Sequence, residues 1–148
     1  MFIPLFLIPI IVGLVTQGMK PLLNRDWYTR LKSDGMKIPR YGGMPSAHTS
    51  FAFSMATTVA LTEGIYSPLF AMAVAFVIFV LDDALRMRIF LGRHGEALLK
   101  LIRRLPEQEQ KEFPYLEARL GHKSKEALVG ACIGVVLTWI LVIFATVS

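Results

Sequence analysis

Two histidines that are distant in the sequence each lie beside residues suited to binding an anion. His48 ends the segment Gly-Gly-Met-Pro-Ser-Ala-His at 42–48. Its glycines, Gly43 among them, permit positive φ angles and let backbone N–H groups converge on an anion. Ser46 is a good N-cap, and the N–H groups at the start of a helix bind phosphate. The segment therefore predicts a phosphate site within reach of His48; the alternative is a glycine turn followed by a helix cap.

The second segment, Gly-His-Lys-Ser-Lys-Glu at 121–126, pairs His122 with a carboxylate. Residues four apart share a helical face, so Glu126 can accept a hydrogen bond from one imidazole nitrogen of His122. That bond fixes the tautomer and leaves the other nitrogen as a nucleophile. The alternative is a group of polar residues at a membrane boundary. Two such segments meeting at one membrane face favour phosphate chemistry.

Four apolar segments must position these residues, at about 2–19, 46–62, 68–81 and 127–147. Each has close to the roughly 20 residues that a bilayer core requires. Hydroxyl-bearing residues at helical spacing dilute the second segment, which indicates a helix packed against protein: Thr49, Ser50, Ser54, Thr57 and Thr58. The chain is 54% hydrophobic, which excludes an ordinary soluble domain. We expect one all-α domain over 1–148, a polytopic membrane bundle of about four transmembrane helices.

Charge is distributed unevenly along the chain. All 16 Lys and Arg residues lie either between Lys20 and Arg40 or between Arg86 and Lys125. The positive-inside rule therefore places both chain ends outside and the two long loops in the cytoplasm, in a bacterial-type inner membrane. The net charge of +5 is better explained by anionic lipid or a phosphorylated substrate than by nucleic acid, because the basic residues alternate with membrane-length apolar segments.

The second long loop contains an amphipathic pattern. Over 93–105 the apolar residues share one helical face and the charged residues share the other. The pattern predicts a cytoplasmic helix that ends before Pro106 and lies in the membrane interface or over the active face. His94, on its polar face, is interpreted as a surface residue.

Three segments resemble the divergent branch of the type-2 phosphatidic acid phosphatase superfamily. They are Gly-Gly-Met-Pro-Ser-Ala-His at 42–48, Gly-His-x-x-x-Glu at 121–126, and Asp-Ala-Leu-Arg-Met-Arg at 83–88 followed by Gly-Arg at 92–93. That branch is described as related to acid phosphatases and vanadium haloperoxidases. The resemblance covers about residues 20–130, nearly the whole chain.

The resemblance implies a role for each matching residue. His122 would attack phosphorus and form a phosphohistidine, with Glu126 orienting it. His48 would protonate the leaving alkoxide and then activate water. The scheme needs no metal and no cofactor, and it implies a membrane lipid or prenyl phosphate as substrate. Five residues are expected to hold phosphate oxygens: Lys20, Gly43, Ser46, Arg86 and Arg88.

The chain also departs from the superfamily pattern. Glu126 stands where aspartate is usual, Leu116 stands where an arginine precedes the second histidine, and Trp27 stands where another arginine follows the motif lysine. Arg86 or Arg88 could replace in space the arginine missing at Leu116, and Arg25 or Arg40 could substitute for the arginine missing at Trp27. These departures keep a second hypothesis open, that of a catalytically inactive protein that binds phospholipid headgroups or has a structural role.

Three further interpretations remain open. Asp82 and Asp83 could orient Arg86 and Arg88, form an interfacial salt bridge, or bind Mg²⁺, and the first two are favoured. Lys20 could instead extend its ammonium group to the membrane interface. Gly130 and Gly134 make a homodimer plausible, because small residues let helices approach closely.

Overall fold

The computed structural model describes residues 4–23, 28–30, 37–39, 43–113 and 124–147. A π-helix covers Asp83–Met87 and continues without a break from one α-helix into the next. Two short strands, β1 (Tyr28–Arg30) and β2 (Lys37–Pro39), pair in antiparallel register with Tyr28 opposite Pro39. The α-helices are α1 (Leu7–Leu23), α2 (Ala47–Thr62), α3 (Pro68–Asp82), α4 (Arg88–Ile102), α5 (Glu107–Gln110) and α6 (Ser124–Val147).

The fold is predominantly helical, as the apolar patterning predicts. The β1–β2 hairpin was not predicted from the sequence. Each strand has only three residues, shorter than the runs of four to eight from which alternation can be recognised. Such strands depend on pairing across the chain, so no local pattern identifies them. The amphipathic pattern at 93–105 is realised within α4, which begins five residues earlier and ends at Ile102.

Two helices are long and apolar enough to cross a membrane, Pro68–Ile102 and Ser124–Phe144. The other two expected spans are shorter, with 17 residues in α1 and 16 in α2. At 1.5 Å per residue these helices are about 26 and 24 Å long, slightly less than a hydrocarbon core of about 30 Å. Four membrane crossings therefore stay a prediction.

Helix starts follow from local chemistry. Ser46 caps α2, and its side chain accepts a hydrogen bond from the Thr49 N–H. Ser67 caps α3 in the same way, accepting from the Phe70 N–H at 3.2 Å. Pro68 then occupies the first turn of α3, where a missing N–H costs nothing. Gly64, with φ of 83°, makes the turn between α2 and α3, a conformation that favours glycine.

The central helix is α2, which packs against α1, α3 and α6. Its hydroxyl-bearing residues Thr49, Ser50, Ser54 and Thr58 are buried, which confirms the prediction that this helix faces protein. The Ser50 and Thr16 hydroxyls lie 2.8 Å apart, joining α2 to α1. These paired hydroxyls satisfy buried polar atoms that hydrocarbon could not satisfy.

Helices α2 and α6 run parallel. Gly130 lies against Ser46, Gly134 lies against Ser50, and the Ser54 hydroxyl is hydrogen-bonded to Thr138. From one of these contacts to the next, the residue number rises by four in both helices. Both helices therefore begin at the same end of the bundle. A Cβ atom on Gly130 or Gly134 would collide with a carbonyl oxygen of α2. The two glycines thus serve packing within the chain, and the expected homodimer loses the support that they provided.

Candidate functional site

The two histidine-bearing segments are linked at the common end of α2 and α6. The Ser46 backbone N–H donates a hydrogen bond to the Glu126 carbonyl oxygen, with an N–O distance of 3.1 Å. Ser46 lies two residues before His48, and Glu126 is four residues after His122. Residues 80 positions apart are therefore joined by a direct bond. It depends on the close approach of Gly130 to Ser46, because any side chain there would separate the helices.

Lys20 enters this region from the last turn of α1. Its relative exposure is only 4%, which does not fit an ammonium group extended into the interface. Lys20 interacts electrostatically with Glu126, attractively, and with Arg88, repulsively. Helix α6 packs against both α1 and the π-helix that precedes α4. We call the region that holds the end of α1 and the starts of α2, α4 and α6 the basic end of the bundle.

Asp82 and Asp83 each hold one arginine. Arg86 Nη1 lies 3.0 Å from Asp82 Oδ1, and the Arg86 side chain is 73% exposed. Arg88 Nε donates to Asp83 Oδ2 at 2.7 Å, and the Arg88 side chain is 27% exposed. Both the orienting and the salt-bridge interpretation of the aspartates fit these contacts. Within the described ranges, no group of three or more His, Cys, Asp or Glu residues could hold a metal ion.

The segment around His48 is partly structural. Ser46 is fully buried, and its hydroxyl oxygen accepts hydrogen bonds from the Thr49 N–H and from the Thr49 hydroxyl, the latter at 2.9 Å. Its observed bonds are those of a helix cap, so a phosphate contact for Ser46 stays a prediction. His48 is exposed in the first turn of α2. Gly43 has φ of 82°, as its proposed turn requires.

Several residues singled out in the sequence lie outside the described residues. His122 is one of them, two positions before the start of α6. Trp27 and Leu116, where the superfamily has arginines, are also outside, as are the possible substitutes Arg25 and Arg40. The approach of His122 to His48 therefore stays a prediction. His94 lies on α4 with an exposed side chain, which confirms its interpretation as a surface residue.

Sequence reasoning missed the π-helix between α3 and α4. Its signature is the ion pair between Asp83 and Arg88, five residues apart. In an α-helix, partners on one face are three or four residues apart, whereas a π-helix bonds residues five apart. The Arg88 backbone N–H also donates to the Asp83 carbonyl oxygen. No helical pattern of period 3.6 would have indicated this pair.

The basic end of the bundle is suited to binding an anion through its donors. The starts of α2 and α6 supply the positive ends of two helix dipoles. Lys20 and Arg88 add two cations, and Glu126 and Asp83 offset them when no anion is bound. Binding must then arise from the placement of hydrogen-bond donors more than from net charge.

Comparison with known proteins identifies the family of this chain. The model of the Divergent PAP2 family matches residues 3–137. The chain is also similar to the uncharacterized membrane protein YuiD of Bacillus subtilis (strain 168), with 32% identity over 124 residues, which is 76% of this chain and 78% of YuiD. No solved structure matches the chain. A match over nearly the full length, together with motif residues at one end of a helical bundle, leads to one conclusion: the chain belongs to the Divergent PAP2 family.

Proposed function

We propose that this protein is a membrane-embedded, metal-independent phosphatase that hydrolyses a lipid or prenyl phosphate or diphosphate. One observation carries the proposal: the Ser46–Glu126 hydrogen bond links the Pro-Ser-Ala-His segment to the start of α6. Membership of the Divergent PAP2 family supports the same chemistry. Lys20, which interacts electrostatically with both Glu126 and Arg88, and Arg88 itself add the cations that a phosphoryl group requires.

The proposed reaction has two steps. An imidazole nitrogen of His122 attacks the terminal phosphorus, and its bond to the leaving oxygen breaks as His48 gives that oxygen a proton. The leaving oxygen belongs to the alcohol in a monophosphate and to the remaining phosphate in a diphosphate. His48 then takes a proton from water, whose oxygen attacks phosphorus and breaks the bond to His122. Inorganic phosphate leaves, and both imidazoles return to their starting states. Glu126 orients His122, while Lys20 and Arg88 stabilise the charge on the transferring group.

The substrate is proposed to be a lipid because of where the site would lie. The helices Pro68–Ile102 and Ser124–Phe144 are long enough to cross a membrane, and the relative YuiD is named a membrane protein. Arg88 is 20 residues beyond Pro68, about 30 Å along the helix, which is one hydrocarbon core. A headgroup at the membrane surface would therefore be at the depth of Arg88. The active face is proposed to be cytoplasmic, following the distribution of basic residues.

A second candidate is a phospholipid-binding protein without turnover. The engagement of Ser46 in cap and interhelix bonds favours it, since a hydroxyl and an N–H proposed to bind phosphate already have other partners. Such a protein would keep the cations at the basic end of the bundle and lack hydrolysis.

Phosphate release from phosphatidic acid and from prenyl diphosphates, measured on purified protein in detergent with and without EDTA, tests the proposal. We expect turnover that EDTA does not affect and that both His122→Ala and His48→Ala abolish. His94→Ala is the matched control, because it removes an exposed imidazole from α4. We expect it to keep wild-type activity.

Two other results would contradict the phosphatase or the residues assigned to its catalysis. Headgroup binding without phosphate release, in protein of native stability, would establish the binding protein and refute the phosphatase. Equal loss of activity in all three histidine variants would show that the assay reports stability and would contradict the assignment of His48 and His122 to catalysis.

A further inference from the structure

The aspartates and arginines between α3 and α4 form two ion pairs of different construction. Asp82 binds Arg86 with the i, i+4 spacing of an ordinary helix, and both side chains are well exposed. Asp83 binds Arg88 across the π-helix, and Arg88 is the less exposed of the two arginines. π-helical turns inside α-helices are rare and are frequent at functional sites. The Asp82–Arg86 pair can thus serve as a reference for the Asp83–Arg88 pair within one segment.

The atoms used by each pair differ. Asp82 engages Nη1 of Arg86, a terminal nitrogen of the guanidinium group. Asp83 engages Nε of Arg88, which leaves both Nη groups on the far edge of the guanidinium for another ligand. Two parallel N–H donors from an arginine are the usual way to bind a phosphate in bidentate fashion. Asp83 therefore holds Arg88 through Nε, and the edge formed by the two Nη groups can bind a phosphate.

The surroundings of Arg88 include a second cation. Arg88 is near enough to Lys20 for the two cations to repel each other. The π-helix contacts α6 as well, the helix whose first turn carries Glu126. Holding two cations close together is unfavourable unless something offsets the repulsion. Asp83 supplies that offset for Arg88, and Glu126 supplies it for Lys20.

We propose that Asp83 is a positioning residue, which uses the π-helical turn to aim the Nη edge of Arg88 at the phosphoryl group of the substrate, and that Arg86 has no such role. This inference rests on the proposed phosphate site. Asp83 itself does not touch the substrate. The π-helix matters because an α-helical turn would put residues 83 and 88 on different faces.

The test compares Asp83→Asn with Asp82→Asn, each of which removes one charge from one ion pair. Binding of short-chain phosphatidic acid to the purified protein in detergent is measured by calorimetry, with inorganic orthophosphate as competitor. We expect Asp83→Asn to weaken binding about tenfold, the loss of a charge-assisted contact, and Asp82→Asn to change it by less than about twofold, as for an exposed pair. Asp83→Glu should restore part of the affinity.

A second comparison separates positioning from stability. Arg88→Lys should weaken binding as much as Asp83→Asn, and the double variant should be no weaker than either, because both remove one interaction. Thermal unfolding of the four single variants, Asp83→Asn, Asp83→Glu, Asp82→Asn and Arg88→Lys, should be similar.

Two results would overturn the inference and are distinguishable from failure of the proposed function. Wild-type binding with equal affinities in Asp83→Asn and Asp82→Asn would exclude a positioning role and leave the phosphate site intact. Tighter binding in Asp83→Asn would show that Asp83 competes with the phosphate. Absence of wild-type binding and of phosphate release would refute the proposed function and this inference together.

Discussion

At the scale of single residues, the lysine at the end of α1 has the environment most relevant to phosphate binding. Lys20 is almost fully buried, and it lies between an attractive carboxylate and a repulsive guanidinium. Burial of an ammonium group is unfavourable without a partner. The attraction of Glu126 offsets part of that cost, and a bound phosphoryl group would offset more.

Replacing Lys20 with methionine should weaken phosphate binding while preserving the fold. Methionine keeps most of the aliphatic stem and removes the charge, so the substrate loses one charge-assisted contact. We expect affinity for phosphatidic acid to fall about tenfold, measured by calorimetry in detergent. Lys125→Met is the control, because Lys125 is exposed in the first turn of α6. Equal effects of the two substitutions would show that the general basic charge matters and that Lys20 has no special role.

At the scale of secondary-structure elements, the α2–α6 interface determines whether the site is assembled. The two helices touch through Gly130 and Gly134 on α6 and through backbone carbonyl groups of α2. The same interface carries the Ser46–Glu126 hydrogen bond and the Ser54–Thr138 contact. An interface built on glycines tolerates no added volume where backbone faces backbone.

Gly130→Ala should destabilise the protein. The new Cβ would collide with the Ser46 carbonyl oxygen, so the helices must move apart. Overpacking of this kind costs about 1–3 kcal/mol, and it should also reduce phosphate release. Thermal unfolding in detergent measures the first effect and the activity assay measures the second.

Gly18→Ala is the matched control for that prediction. Apart from the adjoining residues and backbone of α1 itself, no atom of the described residues lies within 4 Å of a Cβ built at Gly18. Alanine in a helix is more stable than glycine by about 0.5–1 kcal/mol. We expect its unfolding temperature to equal or slightly exceed that of the wild type. A similar loss of stability in both variants would contradict the packing role assigned to Gly130.

At the scale of the whole molecule, the parallel arrangement of α2 and α6 determines which helix ends lie together. Both helices begin at the basic end of the bundle, and α1 and α3 end there. If all four helices cross the bilayer, the motif residues share one membrane face and the α2–α3 turn lies on the other. The distribution of lysine and arginine then predicts that the shared face is cytoplasmic.

Cysteine labelling tests this orientation. Tyr66 lies in the α2–α3 turn and is 98% exposed, and Gln108 lies in α5 with an exposed side chain. In a background where Cys132 is replaced by alanine, a membrane-impermeant maleimide added to intact cells should label Tyr66→Cys. It should label Gln108→Cys only after the cells are lysed. Labelling of Gln108→Cys in intact cells would contradict the predicted orientation, because it would place Gln108 on the outer face of the membrane.

The sequence by itself determined the features that depend on neighbouring residues. Apolar length and periodicity predicted the helical segments, Ser46 predicted the start of α2, and the buried hydroxyls of α2 were predicted from their spacing. The motif residues also identified the family. The helical segments, the Ser46 cap and the polar face of α2 depend on interactions within a few turns of one helix, and such interactions can be recognised from a linear sequence pattern.

Only the tertiary structure decided the features that depend on residues distant in the chain. It joined Ser46 to Glu126, buried Lys20, and placed Lys20 where both Glu126 and Arg88 act on it electrostatically. It also assigned Gly130 to a contact within the chain where the sequence allowed a contact between chains. The physical reason is that each outcome is set by how closely two helices approach and by the phase of a π-helical turn, and neither quantity is encoded in the period of a single helix.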